Sequence, residues 1–232
     1  MITLRPSAQR GQTRLDWLDS RHTFSFGGYH DPRWVRFQDL RVINEDWVEP
    51  EAGFGMHPHQ DMEIITVQVD GELRHRDSLG SGSTLRAGEV QVMSAGTGIS
   101  HSEANPSRGE SSHLLQIWIL PERKGIEPRY EQKAFPETER RGRLQPVATP
   151  DGRGGSLRIH QDASLLLGSM ESGKSLSYAP APGRHAWVQV ARGAVELNGM
   201  AMKQGDGAAV SDETALRLLA SEDSDILLFD LR

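Results

Sequence analysis

Two triplets in this chain combine the residue types and the spacing of a metal centre: His57-Pro58-His59 and His101-Ser102-Glu103. In each, two donor side chains stand two residues apart. Residues i and i+2 of a β-strand point to the same face. Two short strands can therefore aim three imidazoles and one carboxylate at a common point. Such a nitrogen and oxygen set suits a divalent transition ion that keeps open coordination positions. A single His-x-His arises often on exposed strands, and the second triplet at equal spacing gives the pair its weight. Gly96-Thr97-Gly98, just before His101, fits a tight turn that delivers a strand into a cavity. Glu63 competes with Glu103 for the carboxylate role, because it shares strand parity with His57 and His59, as does Asp61. At position 63 a carboxylate also suits orienting a ligand histidine by hydrogen bonding. Spacing alone leaves Glu63 and Glu103 open.

The other histidines read as structural. His75 and His113 sit in alternating strands, and His22 begins the run His22-Thr23-Phe24-Ser25-Phe26, an ordinary strand with one aromatic face. His30 stands beside Asp31-Pro32 in a turn, and His160 and His185 lie in the half without the paired triplets. No Ser/His/Asp arrangement and no phosphate-binding Gly-rich loop with Lys is present.

These residues need a β scaffold, and the chain reads as one. Short apolar or alternating runs recur at 40–48, 62–69, 89–93, 113–120, 187–190, 194–197 and 226–231, several separated by Gly-containing turns. The stretch from Glu127 to Gly155 is rich in Pro, Arg and Gly and poor in aliphatics, and reads as a connector. The flanking halves resemble a worn repeat. Val67-Gln68-Val69-Asp70-Gly71 matches Val188-Gln189-Val190-Ala191-Arg192-Gly193 with one extra residue, and residues 88–94 match 205–211 in their Gly, Val and Ser. Counting on from there, His101 falls opposite Leu218 and Glu103 opposite Ala220, and His57 and His59 fall near Tyr178–Ala181. The expectation is an all-β protein of two barrel-like domains, 1–135 with the metal and 136–232 without ligands.

Composition narrows the function. The 232 residues suffice for two small domains, and 36% hydrophobic with 25% charged residues is ordinary globular usage. A net charge of −6 with no Lys/Arg block argues against a nucleic-acid surface. With no Cys, disulfides, thiolate metal sites and a Cys nucleophile are excluded. No stretch has the apolar length of a membrane span, and a cytoplasmic protein is expected.

The motifs also resemble a known family. His57-Pro58-His59, Glu63 and Gly71, then Gly88, Gly96-Thr97-Gly98, His101 and Asn105, follow the two motifs of the cupin superfamily, with Gly96 in place of a Pro. The likeness to pirins, a cupin subfamily, is closer. It is carried by Asp19–Phe26, Gly53–Ile64, Met93–Glu103, Gln116–Ile119 and Pro128–Gln132, and spans the whole chain most densely over 15–135. The chain is most similar to bacterial pirin-like proteins described as quercetin 2,3-dioxygenases. That resemblance implies a bicupin: two β-sandwich, jelly-roll-like cupin domains facing each other, with one metal in the first. It implies His57, His59, His101 and Glu103 as ligands, which leaves Glu63 a supporting role.

The function implied is a metal-dependent dioxygenase that cleaves a flavonol of the quercetin type with O2 and releases carbon monoxide. Fe(II) is the favoured ion, with Ni, Cu, Mn and Zn also compatible with His and Glu ligands. Glu103 is the candidate base for the flavonol hydroxyl as well as a ligand. Phe24, Phe26, Phe54 and Met93 are candidate walls for a flat substrate, each with core packing as the plainer role. The rival reading is a non-enzymatic regulator or redox sensor that binds a protein partner. A monomer is expected in either case.

Overall fold

A computed structural model describes residues 1–232. Apart from one short α-helix, Glu137–Arg140, and two 3-10 turns, the regular structure is β. No helix is long and apolar enough to cross a membrane. The chain divides into two compact units: Gly11–Phe135 with Leu157–Gln161, and Met1–Arg10 with Pro136–Ser156 and Asp162–Arg232.

Two short segments therefore lie in the unit opposite to the one expected. Residues 1–10 join the C-terminal unit because Ile2–Arg5 pairs antiparallel with Gly207–Val210. Residues 157–161 join the N-terminal unit, where the Gln161 amide donates to the Leu120 carbonyl and the Glu122 N–H donates to the His160 carbonyl. The expected connector is also structured. It holds the strands Arg129–Ala134 and Leu144–Thr149 and the short helix. Arg129–Ala134 is an edge strand of its sheet, a position that tolerates its charged side chains.

The N-terminal unit has a large sheet in the order Arg129–Ala134, Glu89–Ser94, Glu63–Asp70, Ser112–Ile119, Leu40–Val48, Leu18–His22, Gly11–Leu15. Its small sheet runs Gly53–His59, Ile99–Ala104, Glu72–Asp77, Gly82–Arg86. Leu18, Val48, Leu73, Leu85 and Leu114 form one apolar cluster, and Ile64, Met93, Ala95 and Ile99 another. Between them the interior is polar: Asn44, Asp46, Thr66, Gln68 and Gln91 are all buried.

The C-terminal unit repeats this plan. Its large sheet runs through Ile2–Arg5, Gly207–Val210, His185–Arg192, Ser224–Leu231, Ala163–Met170 and Leu144–Thr149. Its small sheet runs Ser175–Tyr178, Leu216–Ala220, Ala194–Leu197, Met200–Lys203. A single apolar cluster fills it, including Leu166, Val188, Val190, Leu218 and Leu228. The repeat is thus present in topology, with two adjustments to the sequence match. Leu176 pairs with Leu218 as His57 pairs with His101, so Leu176 and Tyr178 take the places of His57 and His59. Thr66 pairs with Gln91 as Val188 pairs with Ala208, so the match of Val67 to Val188 is one residue out of register. A slip of one residue would turn every side chain to the other face.

Candidate metal centre

The strand Ile99–Ala104 sits at the middle of the site. Its residues alternate, with Ile99, His101 and Glu103 buried and the residues between them half-buried. On one side it pairs with Gly53–His59, which sets His57 opposite His101. On the other it pairs with Glu72–Asp77, which sets His75 opposite Glu103 and Asp77 opposite His101. Two glycines make this possible. A Cβ at Gly53 would stand 2.3 Å from the Glu103 carbonyl oxygen. Gly96 has φ +47° and its absent Cβ would lie 2.0 Å from the Ile126 carbonyl oxygen, so the expected turn before His101 admits only glycine there.

The imidazoles of His57, His59 and His101 gather with ring centroids 4.5 to 4.9 Å apart, and their donor nitrogens lie within 4.8 Å of one another. The His57 Nδ1–H donates to the Gly55 carbonyl at 2.7 Å, which leaves Nε2 as the free lone pair. This is the usual arrangement of a metal-ligating histidine. Burial and the neighbouring His57 push His59 down to about 4. Burial, with His57, His59 and His75 beside it, pushes His101 down to about 2. His59 and His101 are therefore neutral at pH 7, the form that ligates metal. Both ring nitrogens of His101 are buried without a hydrogen-bond partner. A buried unpaired polar atom costs about 1–3 kcal/mol, and a cation at the cluster would remove that cost. The residues fit a divalent ion.

Glu103 is held differently from the expected fourfold cluster. Its carboxylate groups most closely with His101 and His75, while it lines the same pocket as His57 and His59. Gln91 Nε2 donates to Oε1 at 2.6 Å and Gln116 Nε2 donates to Oε2 at 2.7 Å. Thr66 ties the two amides together, accepting from Gln91 at 2.9 Å and donating to Gln116 Oε1 at 2.9 Å. Burial pushes Glu103 up to about 7, against the pull of these hydrogen bonds. Glu63 lies outside both clusters. It is fully buried, accepts from Ser94 Oγ at 2.9 Å and the His160 N–H at 3.2 Å, and is pushed up by burial to about 7. Its side chain therefore serves packing around residues 157–161.

A pocket of about 230 Å³ opens from the cluster. Leu18, Phe26, Phe54 and Trp118 give it apolar walls, and Thr13, Ser20, His22, Asn44, Asp46 and Gln116 a polar one. Trp118 meets the His59 ring edge-on at 5.0 Å. Of the four walls expected from sequence, Phe26 and Phe54 line the pocket. Phe24 and Met93 are core residues, each 1% exposed. His22 is more than a strand residue, since its ring bonds Thr13 Oγ1 at 2.8 Å and Asn44 Oδ1 at 2.9 Å in the pocket wall. Asp46 was not anticipated. Burial raises it to about 7, and it accepts from Ser20 Oγ. Nor were the glutamines around Glu103, because an amide in an alternating strand carries no local mark of its target. His113 stacks on Trp47 at 4.5 Å and bonds Glu45 at 3.1 Å, away from this pocket.

Comparison with known proteins agrees with this architecture. A family model described as Pirin matches residues 3–119, and one described as Quercetinase C-terminal cupin domain matches 146–231. An Escherichia coli protein named quercetin 2,3-dioxygenase is 48% identical over 231 residues, covering 100% of this chain and 99% of the relative. A pirin-like protein of Caulobacter vibrioides is 38% identical, covering 99% of each. The crystal structure of the bacterial pirin YhhW from Escherichia coli in complex with nickel(II) superposes with a TM-score of 0.95 at 48% identity, over 100% of this chain and 99% of that one. The two motif-bearing strands, the polar first barrel, the apolar second one and these full-length matches lead to one conclusion: the chain belongs to the pirin family.

Proposed function

We propose that this protein is a flavonol 2,3-dioxygenase of the quercetin type, using one divalent ion held by His57, His59, His101 and Glu103. The observation that carries the reading is a cluster of three buried or half-buried imidazoles opening onto a pocket with one apolar and one polar wall. The names of the 48% identical relatives support the substrate class. The nickel(II) complex of YhhW makes Ni(II) the first ion to test, ahead of the Fe(II) favoured from sequence.

A divalent ion here would supply Lewis acidity, lowering the pKa of a bound hydroxyl. The chain's own residues do the rest. Phe26, Phe54 and Trp118 offer faces and edges to a planar ring system. Ser20, His22, Asn44 and Asp46 offer hydrogen-bond partners to its peripheral hydroxyls. Glu103, placed near pH 7 by burial and fixed by Gln91 and Gln116, accepts the proton of the flavonol hydroxyl. The flavonol and O2 are consumed together, the central ring opens, and carbon monoxide leaves.

Oxygen uptake and carbon monoxide release on adding quercetin to Ni(II)-loaded protein test this. Glu103→Gln, at matched metal content, should lower the rate about 100-fold or more, the scale of losing a general base. Equal turnover would remove Glu103 from the base role. No oxygen uptake with any flavonol, on nickel, iron, copper or manganese, would favour a metal-dependent regulator instead.

A further inference from the structure

We infer that the chain contains a second, inner metal position formed by His75 Nδ1, His101 and Glu103. It shares His101 and Glu103 with the outer position completed by His57 and His59, so the two positions are alternatives for one ion.

The ladder builds this set. His75 faces Glu103 across the strand pair and Asp77 faces His101, so all four lie on one interior face. His75 Nε2 lies 2.9 Å from Asp77 Oδ2. The other Asp77 oxygen accepts the backbone N–H groups of Leu79 at 2.9 Å and Ser81 at 3.0 Å, which anchors the carboxylate. A carboxylate can only accept, so Nε2 carries the hydrogen and Nδ1 carries a bare lone pair. That lone pair is buried without a partner, as are both nitrogens of His101. A carboxylate behind a histidine whose other nitrogen is bare is the arrangement that orients metal-ligating imidazoles. Tyr130 stacks on the His75 ring at 4.2 Å and 18° and so limits its rotation.

Size and chemistry agree. The donor atoms of His75, His101 and Glu103 lie within 4.8 Å of one another. Two donors bonded to one ion at about 2.1 Å are at most about 4.2 Å apart. Three mutually equidistant donors on one ion are at most about 3.6 Å apart, so each donor atom would have to move inward by under about 1 Å. Two imidazoles and a carboxylate suit the same borderline divalent ions as the outer cluster. The positions differ in access. His75, His101 and Glu103 are 0%, 1% and 2% exposed, whereas His57 and His59 are half-buried. An ion in the inner position would be withdrawn from the pocket mouth, a resting site rather than a working one.

Cobalt(II) is the probe, read by its visible absorption and by binding calorimetry, with circular dichroism as the check on folding. The variant His57→Ala/His59→Ala lacks two outer donors and should still bind one Co(II) per chain. Adding His75→Ala should weaken that binding by more than the roughly 10–100-fold cost of losing a partner that merely orients a ligand. The double variant should also show a paramagnetically shifted, slowly exchanging imidazole N–H in its proton spectrum, from Nε2 on Asp77, which vanishes with His75→Ala. A folded double variant that binds no Co(II) would overturn the proposal and leave a water molecule as the partner of these nitrogens. Binding unchanged by His75→Ala would overturn it as well. None of these readouts involves flavonol turnover, so the proposal and the dioxygenase reading fail separately.

Discussion

The two barrels of this protein share a strand plan and differ in what they enclose. Across the large sheet of the N-terminal unit, one interior row reads Asn44, Gln116, Thr66, Gln91. The corresponding row of the C-terminal unit reads Leu166, Leu228, Val188, Ala208. In the small sheets, His57, His101 and Asp77 correspond to Leu176, Leu218 and Leu197, and Glu103 and His75 to Ala220 and Val195. The same backbone thus carries a hydrogen-bonded, ionisable interior in one copy and a hydrocarbon core in the other. The apolar copy gains stability from every buried side chain. The polar copy must satisfy each buried group, and the Gln91–Thr66–Gln116 chain exists to do so around Glu103. Holding a site thus costs stability that the second barrel does not give up.

Exchanging row members tests this contrast. The largest effect is expected from Leu228→Gln, which puts an unpaired amide among Leu166, Val188 and Ala208. Lost packing and an unsatisfied polar group together should destabilise the C-terminal unit by about 3–5 kcal/mol, read by denaturant unfolding. A loss under 1 kcal/mol would show that the apolar barrel is not tightly packed.

Next is Glu63→Gln. Glu63 and Ser94 meet at 2.9 Å where the second unit pairs His185 with Ser211 at 2.8 Å. Burial raises Glu63 from 4.5 to about 7. The folded state thus holds a proton that the unfolded state releases, and the contribution of Glu63 to stability falls as pH rises from about 4.5 to 7. Relative to wild type, Glu63→Gln should therefore become more favourable over that window, by up to about 2–3 kcal/mol, and be flat above it. Urea unfolding of both proteins at pH 4.5, 6 and 8 measures the difference. A difference independent of pH would mean that Glu63 is ionised throughout.

The smallest change comes from Gln116→Leu, which copies Leu228 into the polar row. It removes the donor to Glu103 Oε2 while keeping the volume. Metal affinity should fall roughly 10–100-fold, the cost of losing a residue that supports a ligand, with a folded protein by circular dichroism. Unchanged Ni(II) affinity by calorimetry would show that Glu103 needs only Gln91.

Much of the site could be read from the chain because strand geometry is local. The i, i+2 spacing of His57/His59 and His101/Glu103 puts each pair on one face whatever the rest of the fold does. The β-rich pattern, the worn repeat and the missing ligands of the second copy follow from equally short-range signals. Pairing between strands is a different matter. Only the ladder register sets His75 against Glu103 and Asp77 against His101, turns Glu63 toward Ser94 and His160, and corrects the repeat by one residue on one strand and by two on another. Only tertiary contact joins residues 1–10 to the C-terminal unit and brings Asp46, Gln91 and Gln116 around the site from separate strands. A residue's type and its neighbours two places away decide which face it shares. Which partner it meets is decided by hydrogen bonds to strands dozens of residues distant, and those leave no local trace.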